Sequence, residues 1–135
     1  MKYMLDTNIL IYILKMKPPK VFQRLNEIQE TDELCMSFIT FAELLKGVQR
    51  SQRKEQTLLT LDRLTRQIPV VFGTNRQVCL EYAEHFSRLK TAGTQIGGNE
   101  LWIACHALAE NATLVTNNIG EFQRIERLRL DNWAE

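Results

Sequence analysis

Four acidic residues stand where a carboxylate can do chemistry: Asp6, Glu43, Glu100 and Glu121. Each follows a short apolar run or opens a helical pattern. Asp6 ends Tyr3-Met4-Leu5, Glu43 comes after the run Leu34 to Ile39, Glu100 follows the Gly97-Gly98 loop, and Glu121 follows Thr113 to Thr116. Carboxylates gathered from such positions repel one another in a partly dry site, which is tolerable only when a cation is bound or some become protonated. Hard oxygen donors of this kind suit Mg2+ or Mn2+, which bind few carboxylates, keep several waters and leave room for phosphate oxygens. The matching chemistry is phosphodiester hydrolysis, in which an ion polarises the phosphoryl group and lowers the pKa of an attacking water.

Taken singly, each acid also has a structural explanation. Asp6 is a favoured N-cap residue. Thr40-Phe41-Ala42-Glu43 fits a capping box, in which the Glu reaches back to a backbone N–H. Glu100 and Glu121 fit first-turn acids that complement a helix dipole. His85 and His106 are the only histidines, and neither has a partner at metal-ligand spacing. His106 lies in the apolar segment Trp102 to Leu108 and reads as a packing residue. No Ser/His/Asp arrangement, phosphate-binding P-loop or GxGxxG is present to carry a different chemistry.

The elements that must position these acids alternate in type. Tyr3 to Leu5 reads as a strand stopped by Asp6-Thr7-Asn8, a helix start, and Pro18-Pro19 breaks that helix. Val21, Phe22, Leu25 and Ile28 fit one face of a second helix. Leu34 to Ile39 reads as strand and Thr40 onward as helix, through Leu44, Leu45 and Val48. A helix through Leu58, Leu61 and Leu64 leads to Pro69 and the strand Val70-Val71-Phe72, and a further helix runs from about Gln77 to Lys90. Asn99 is placed to cap an apolar helix from Leu101 to Ala109, closed by Asn111; a fourth strand spans Thr113 to Thr116 and a fifth lies near Leu128 to Leu130, with Trp133 packing close by. Alternating strands and helices predict an α/β fold: a parallel sheet of four to five strands with helices on both faces, over residues 1–135 as one domain. Sites in such sheets form at the carboxyl ends of the strands.

Composition narrows the classes. The 135 residues are 44% hydrophobic and 24% charged, enough for a globular core and unlike a disordered chain. The 17 basic and 16 acidic side chains leave a net charge of +1, so attraction to a nucleic acid backbone requires a local patch. Lys46, Arg50, Arg53 and Lys54 are the densest basic group, with Arg88, Lys90 and Arg124 as possible extensions; the group reads either as a solvated helix face or as a grip on phosphates beside the acidic site. Cys35, Cys79 and Cys105 are odd in number, widely spaced and set among apolar neighbours, which predicts buried reduced thiols in a cytoplasmic protein. The apolar N-terminal stretch is interrupted by Asp6 and Asn8 and falls well short of the roughly 20 residues that span a bilayer. The leucine-rich segments around Leu44, Leu45, Val48, Leu58, Leu61 and Leu64 offer a surplus apolar face for a second copy or a partner helix.

In order, the acidic positions carry a resemblance. Tyr3-Met4-Leu5-Asp6-Thr7-Asn8, Ser37-Phe38-Ile39-Thr40-Phe41-Ala42-Glu43-Leu44, Ile96-Gly97-Gly98-Asn99-Glu100-Leu101-Trp102-Ile103-Ala104 and Leu114-Val115-Thr116-Asn117-Asn118-Ile119-Gly120-Glu121-Phe122 resemble the successive acidic motifs of VapC-type PIN domains. Leu130-Asp131-Asn132-Trp133 is similar to family members too. The resemblance implies a PIN fold and a Mg2+-dependent endoribonuclease, with Mn2+ as the alternative ion. It also implies the toxin of a type II toxin–antitoxin pair that cleaves structured RNA, tRNA first, and inhibits translation, as a homodimer neutralised by a VapB-like antitoxin. Asp6, Glu43, Glu100 and Glu121 fall on the family's acidic, metal-holding positions, and Asn8 and Thr116 on polar positions that orient them. Two departures stand out: Glu100 replaces the usual Asp with a longer arm, and Asn118, a supporting polar residue, is an amide where many relatives carry another acid. The rival readings are a catalytically weakened PIN-like binding module and a nuclease of RNA processing that is not a toxin.

Overall fold

In the computed structural model, which describes residues 1–135, the chain runs through β1 (Lys2–Leu5), α1 (Thr7–Lys15), α2 (Pro19–Asn26), β2 (Glu33–Ser37), α3 (Phe38–Arg50), α4 (Lys54–Gln67), β3 (Val70–Val71), α5 (Arg76–Ala92), α6 (Gly98–Ala109), β4 (Thr113–Val115), α7 (Ile119–Phe122) and β5 (Leu130–Asp131). The strands form one parallel sheet in the order β3-β2-β1-β4-β5. Strands covered on both faces read as continuous apolar runs, and successive side chains leave on opposite sides. Met4, Cys35 and Leu114 accordingly point into one core with α5, α6 and Phe122, whereas Leu5, Met36 and Val115 point into a second core with α1, α3, α4 and Trp133.

The pairing register lines up the carboxyl edge. Met4 stands beside Cys35 and Leu114, Ser37 beside Val71, and Val115 beside Asp131. One step further along, Asp6, Ser37, Thr116 and Asn132 share a row, with the central strand β1 placing Asp6 in its middle.

Several boundaries differ from the sequence reading, each for a local reason. Helix α3 starts at Phe38 because Ser37 Oγ caps it by accepting from Ile39 N; Thr40 is one turn inside and buried, so the expected capping box with Glu43 does not form. Helix α6 starts at Gly98, with Gly97 rather than Asn99 at the cap position. The final strand is Leu130–Asp131, shifted from Leu128 to Leu130, and Phe72 projects 66% exposed beyond β3. Cys35 and Cys105 are buried as expected, and Cys79 is exposed. Leu44, Val48, Leu61 and Leu64 fill the α3–α4 interface, while Leu58 stays at the surface.

One buried polar cluster was not foreseen. Glu81, 5% exposed on α5, receives a two-pronged pair from Arg127, Nη1 to Oε1 at 3.1 Å and Nη2 to Oε2 at 2.8 Å. Arg127 adopts φ +69°, a left-handed conformation that costs a residue with a Cβ about 1–2 kcal/mol, and the fork to Glu81 helps hold it there. His85, fully buried, packs its Nε2 against Glu81 at 3.2 Å and takes an Arg88 N–H on Nδ1 at 3.1 Å. This cluster ties α5 to the segment between α7 and β5.

Two outcomes follow. Trp133 is completely buried in the second core, so Trp133→Ala is expected to lower unfolding free energy by about 3–5 kcal/mol in urea titrations. The Arg127 fork, the largest influence, holds the Glu81 carboxyl below its ordinary range. Its stabilising contribution is therefore complete above the unfolded-state value of about 4.3 and fades as pH falls through the lower folded-state value. Glu81→Gln is expected to be less stable at neutral pH and to have a flatter acid limb, read from denaturation midpoints between about pH 2 and 7.

Candidate active site

Asp6 leaves the end of β1 and becomes the N-cap of α1, so the capping role expected of it is real. Its carboxylate accepts three hydrogen bonds: Thr7 N reaches Oδ1 at 2.9 Å, and Oδ2 accepts from Thr116 Oγ1 at 2.8 Å and from Asn8 Nδ2 at 3.3 Å. Thr116 Oγ1 in turn accepts from Asn118 N at 3.0 Å and from Asn8 Nδ2 at 3.4 Å. Asp6 is only 5% exposed, and capping alone does not require such burial. Burial is the largest influence on its carboxyl and pushes it above the ordinary range. The Thr116 and Thr7 hydrogen bonds pull it down, and the negative charges of Glu43 and Glu100 push it up again.

Glu43 sits on α3 and faces α1, where Oε1 accepts from Thr7 Oγ1 at 2.8 Å. Thr7 therefore serves both acids, its backbone to Asp6 and its hydroxyl to Glu43. Glu100, in the first turn of α6, folds its side chain back toward Gly97, and a Cβ at position 97 would overlap its carboxylate. The absence of a side chain there makes room for the longer arm. Glu121, in α7, is held apart from Asp6 by other partners: Asn118 Nδ2 donates to Oε2 at 2.6 Å and Gly97 N to Oε1 at 3.4 Å. Gly97 thus touches both the third and the fourth acid.

The arrangement is a polar edge with Asp6 at its floor and Glu43 and Glu100 close enough to act on its charge. No three acidic, histidine or cysteine side chains close into a ready-made metal cage. His106 stays in the core, its Nδ1 2.8 Å from Ser37 Oγ, and burial lowers its proton affinity. It does not reach the acids.

The PIN-domain family model matches residues 3–128. Ribonuclease VapC1 of Haemophilus influenzae is 47% identical over 135 residues, covering all of both chains, and Ribonuclease VapC2 of Rickettsia felis is 41% identical over 133 residues, 98% of each. The chain belongs to the VapC ribonucleases of the PIN-domain family. Its fold matches the solved VapBC-1 structure from nontypeable Haemophilus influenzae at TM-score 0.94, with full coverage of both chains and 47% identity. It matches VapBC from Salmonella typhimurium, solved bound to DNA, at TM-score 0.86 with 98% coverage of each chain and 32% identity.

In this VapC-type chain the basic group divides. Glu43, Lys46 and Arg50 lie on one face of α3 at helical spacing, and Lys46 lines a shallow hollow with Ile39, Ala42, Glu43 and Asn99. Arg53 and Lys54 stand at the α3–α4 corner, beyond that hollow. Arg88 and Arg124 are engaged elsewhere, Arg88 with His85 and the Arg124 carbonyl, Arg124 with the Gln95 carbonyl. The sequence reading passed over Thr7 and Gly97 as a helix start and a loop; only the fold shows what they touch.

Gly97 has φ and surroundings that tolerate alanine apart from the Glu100 carboxylate, a flexible chain end. Gly97→Ala is therefore expected to leave the melting temperature nearly unchanged while displacing Glu100 and lowering RNA cleavage at least about tenfold. Parallel thermal melts and cleavage rates check it.

Proposed function

We propose that this chain is a divalent-metal-dependent endoribonuclease and the toxin of a VapB–VapC pair, with residues 1–135 working as one PIN domain. One observation carries the reading: the buried Asp6 carboxylate, pushed up by burial and by Glu43 and Glu100, has no cationic side chain among the main influences on it. A site that concentrates negative charge without a built-in counter-charge suits a bound cation.

The residues fit Mg2+ or Mn2+. Asp6, Glu43 and Glu100 would hold the ion, with Glu121 at the margin; these side chains do not close into a cage by themselves, and waters would complete the shell of an ion that takes few carboxylates. When bound, the ion supplies charge neutralisation at the phosphate and a more acidic water. The chain's own residues do the positioning. Thr7 N, Thr116 Oγ1 and Asn8 Nδ2 fix both oxygens of Asp6, the Thr7 hydroxyl orients Glu43, and Asn118 with Gly97 N orients Glu121. Lys46 and Arg50, on the Glu43 face of α3, suit backbone phosphates on either side of the scissile bond, with Arg53 and Lys54 extending the grip. In hydrolysis the water oxygen bonds to phosphorus as the phosphorus–oxygen ester bond breaks; a carboxylate at this edge accepts the proton that the water releases, and the departing ester oxygen takes up a proton from solvent to leave as a hydroxyl.

The substrate class we favour is tRNA, because a relative 32% identical over 134 residues is named a tRNA(fMet)-specific endonuclease, from Salmonella typhimurium; cutting such a molecule would inhibit translation. The solved neighbours are VapBC complexes, which supports a VapB-like antitoxin for this chain; a homodimeric toxin is part of the proposal. An open hollow of about 610 Å³ between α1, α3 and α4, with Leu14, Leu44, Val48 and Leu61 on its floor and polar residues from Ser51 to Thr60 around them, suits an amphipathic partner helix. No helix is long and apolar enough to cross a membrane; the proposed place of action is the cytoplasm, where the RNA substrate is.

The test is cleavage of initiator tRNA and of total RNA by purified, antitoxin-free chain, with Mg2+, Mn2+ or EDTA, beside Asp6→Asn. Discrete fragments that need the ion and fall at least about a hundredfold in Asp6→Asn are expected. A second reading draws on Glu100 turned back on Gly97: a module that binds RNA or antitoxin without cutting. Intact RNA under every condition from folded protein, with partner binding retained, selects that module and sinks the nuclease.

A further inference from the structure

We infer that Asn132, in the segment after β5, is a positioning residue for Asp6, acting through Asn117 and Asn8. The inference rests on the reading of Asp6 given above and concerns how its partner Asn8 is kept in the useful orientation.

An amide side chain can sit either way round, and only one way lets Asn8 donate to Asp6 and Thr116. Asn117 N donates to Asn8 Oδ1 at 3.0 Å, which settles the matter: turned over, Asn8 would set N–H against N–H. Asn117 is exposed and stands just past the end of β4, outside the core. Its side chain is pinned at both ends. Nδ2 donates to the Tyr12 hydroxyl at 3.0 Å, and Oδ1 accepts from Asn132 Nδ2 at 3.0 Å.

Asn132 is oriented by the same logic, because its own Oδ1 accepts from Ala134 N at 2.9 Å. The segment carrying it is firmly rooted. Trp133 is fully buried and donates Nε1 to Asp131 Oδ2 at 3.1 Å, Asp131 pairs with Arg24 of α2, and Asp131 O accepts from Thr116 N at 3.0 Å. A continuous hydrogen-bonded path therefore runs from the Trp133 anchor through Asn132, Asn117 and Asn8 to the Asp6 carboxylate, and Asn132 contributes without facing the acids.

Asn132→Ser keeps an oxygen for Ala134 N and is too short to reach Asn117. In Asn132→Asp, the Asn117 amide can turn over, donating to the new carboxylate and accepting from the Tyr12 hydroxyl, so the path survives. Steady-state cleavage and amide hydrogen exchange in metal-free protein test this, with Asn117→Ala as a second break in the path. Expected are a fall in kcat of about three- to tenfold for Asn132→Ser and Asn117→Ala at unchanged KM, and near-wild-type kcat for Asn132→Asp. In Asn132→Ser the Asn117 amide should exchange faster while the Leu114 amide keeps its protection. Unchanged kcat and unchanged Asn117 exchange overturn the inference, as does faster exchange at Leu114, which would mark general loosening. Asp6→Asn in the same assay separates the failures: if it is as active as wild type, the reading of Asp6 falls; if it is inactive while Asn132→Ser is normal, only the role of Asn132 falls. Should the wild type not cut RNA, the exchange data alone decide it.

Discussion

The structure depends on keeping one carboxylate, Asp6, at the end of the central strand and almost out of water. Burying a charge is costly unless donors surround it. The chain answers with backbone and hydroxyl donors rather than with a basic side chain, from Thr7 on one side and from Thr116 and Asn8 on the other. This choice leaves the site net negative. An ion pair would have offset the cost of burying Asp6 and neutralised its charge. Parallel pairing of β1 with β4, Leu5 beside Val115, is what brings Thr116 within reach across more than a hundred residues of chain.

Around that floor the other acids are attached in different ways. Glu43 is carried by a thirteen-residue helix packed on both α1 and α4 and is tethered by Thr7. Glu100 and Glu121 meet at Gly97, one filling the space a Cβ would take and the other, from α7, accepting the Gly97 N–H. A longer acid at position 100 is accommodated by a smaller residue three places earlier, so the two positions make one structural unit.

The sequence carried the outline because strands buried on both faces cannot hide: the runs at Met4-Leu5, Cys35-Met36 and Leu114-Val115 are apolar at successive positions and lie between capping residues. The placement of Asp6, Asn8 and Thr116 at one edge was legible for the same reason, since strand ends in a parallel sheet share an edge. Glu43 was placed on the right helix with the wrong partner. Thr40 and Ser37 are both good caps by type, and only the burial of Thr40 inside the helix decides between them. The Glu81–Arg127 fork, the Gly97–Glu121 contact and the Asn132–Asn117 contact join positions far apart in sequence, and no local pattern announces such pairs.

The position of β5 has a consequence for synthesis. The sheet is completed by Leu130 and Asp131 pairing beside β4, and the second core is filled by Trp133. Chains emerge amino end first and fold as cooperative units. A ribosome-bound chain that has exposed Asp6, Glu43, Glu100 and Glu121 but not yet residues 130–133 lacks the strand that holds Thr116 N and the side chain that seals that core. The outer neighbour of β4 and the side chain that fills the second core are therefore made after all four acids, so this edge of the sheet is completed by a segment synthesised later than the residues it supports.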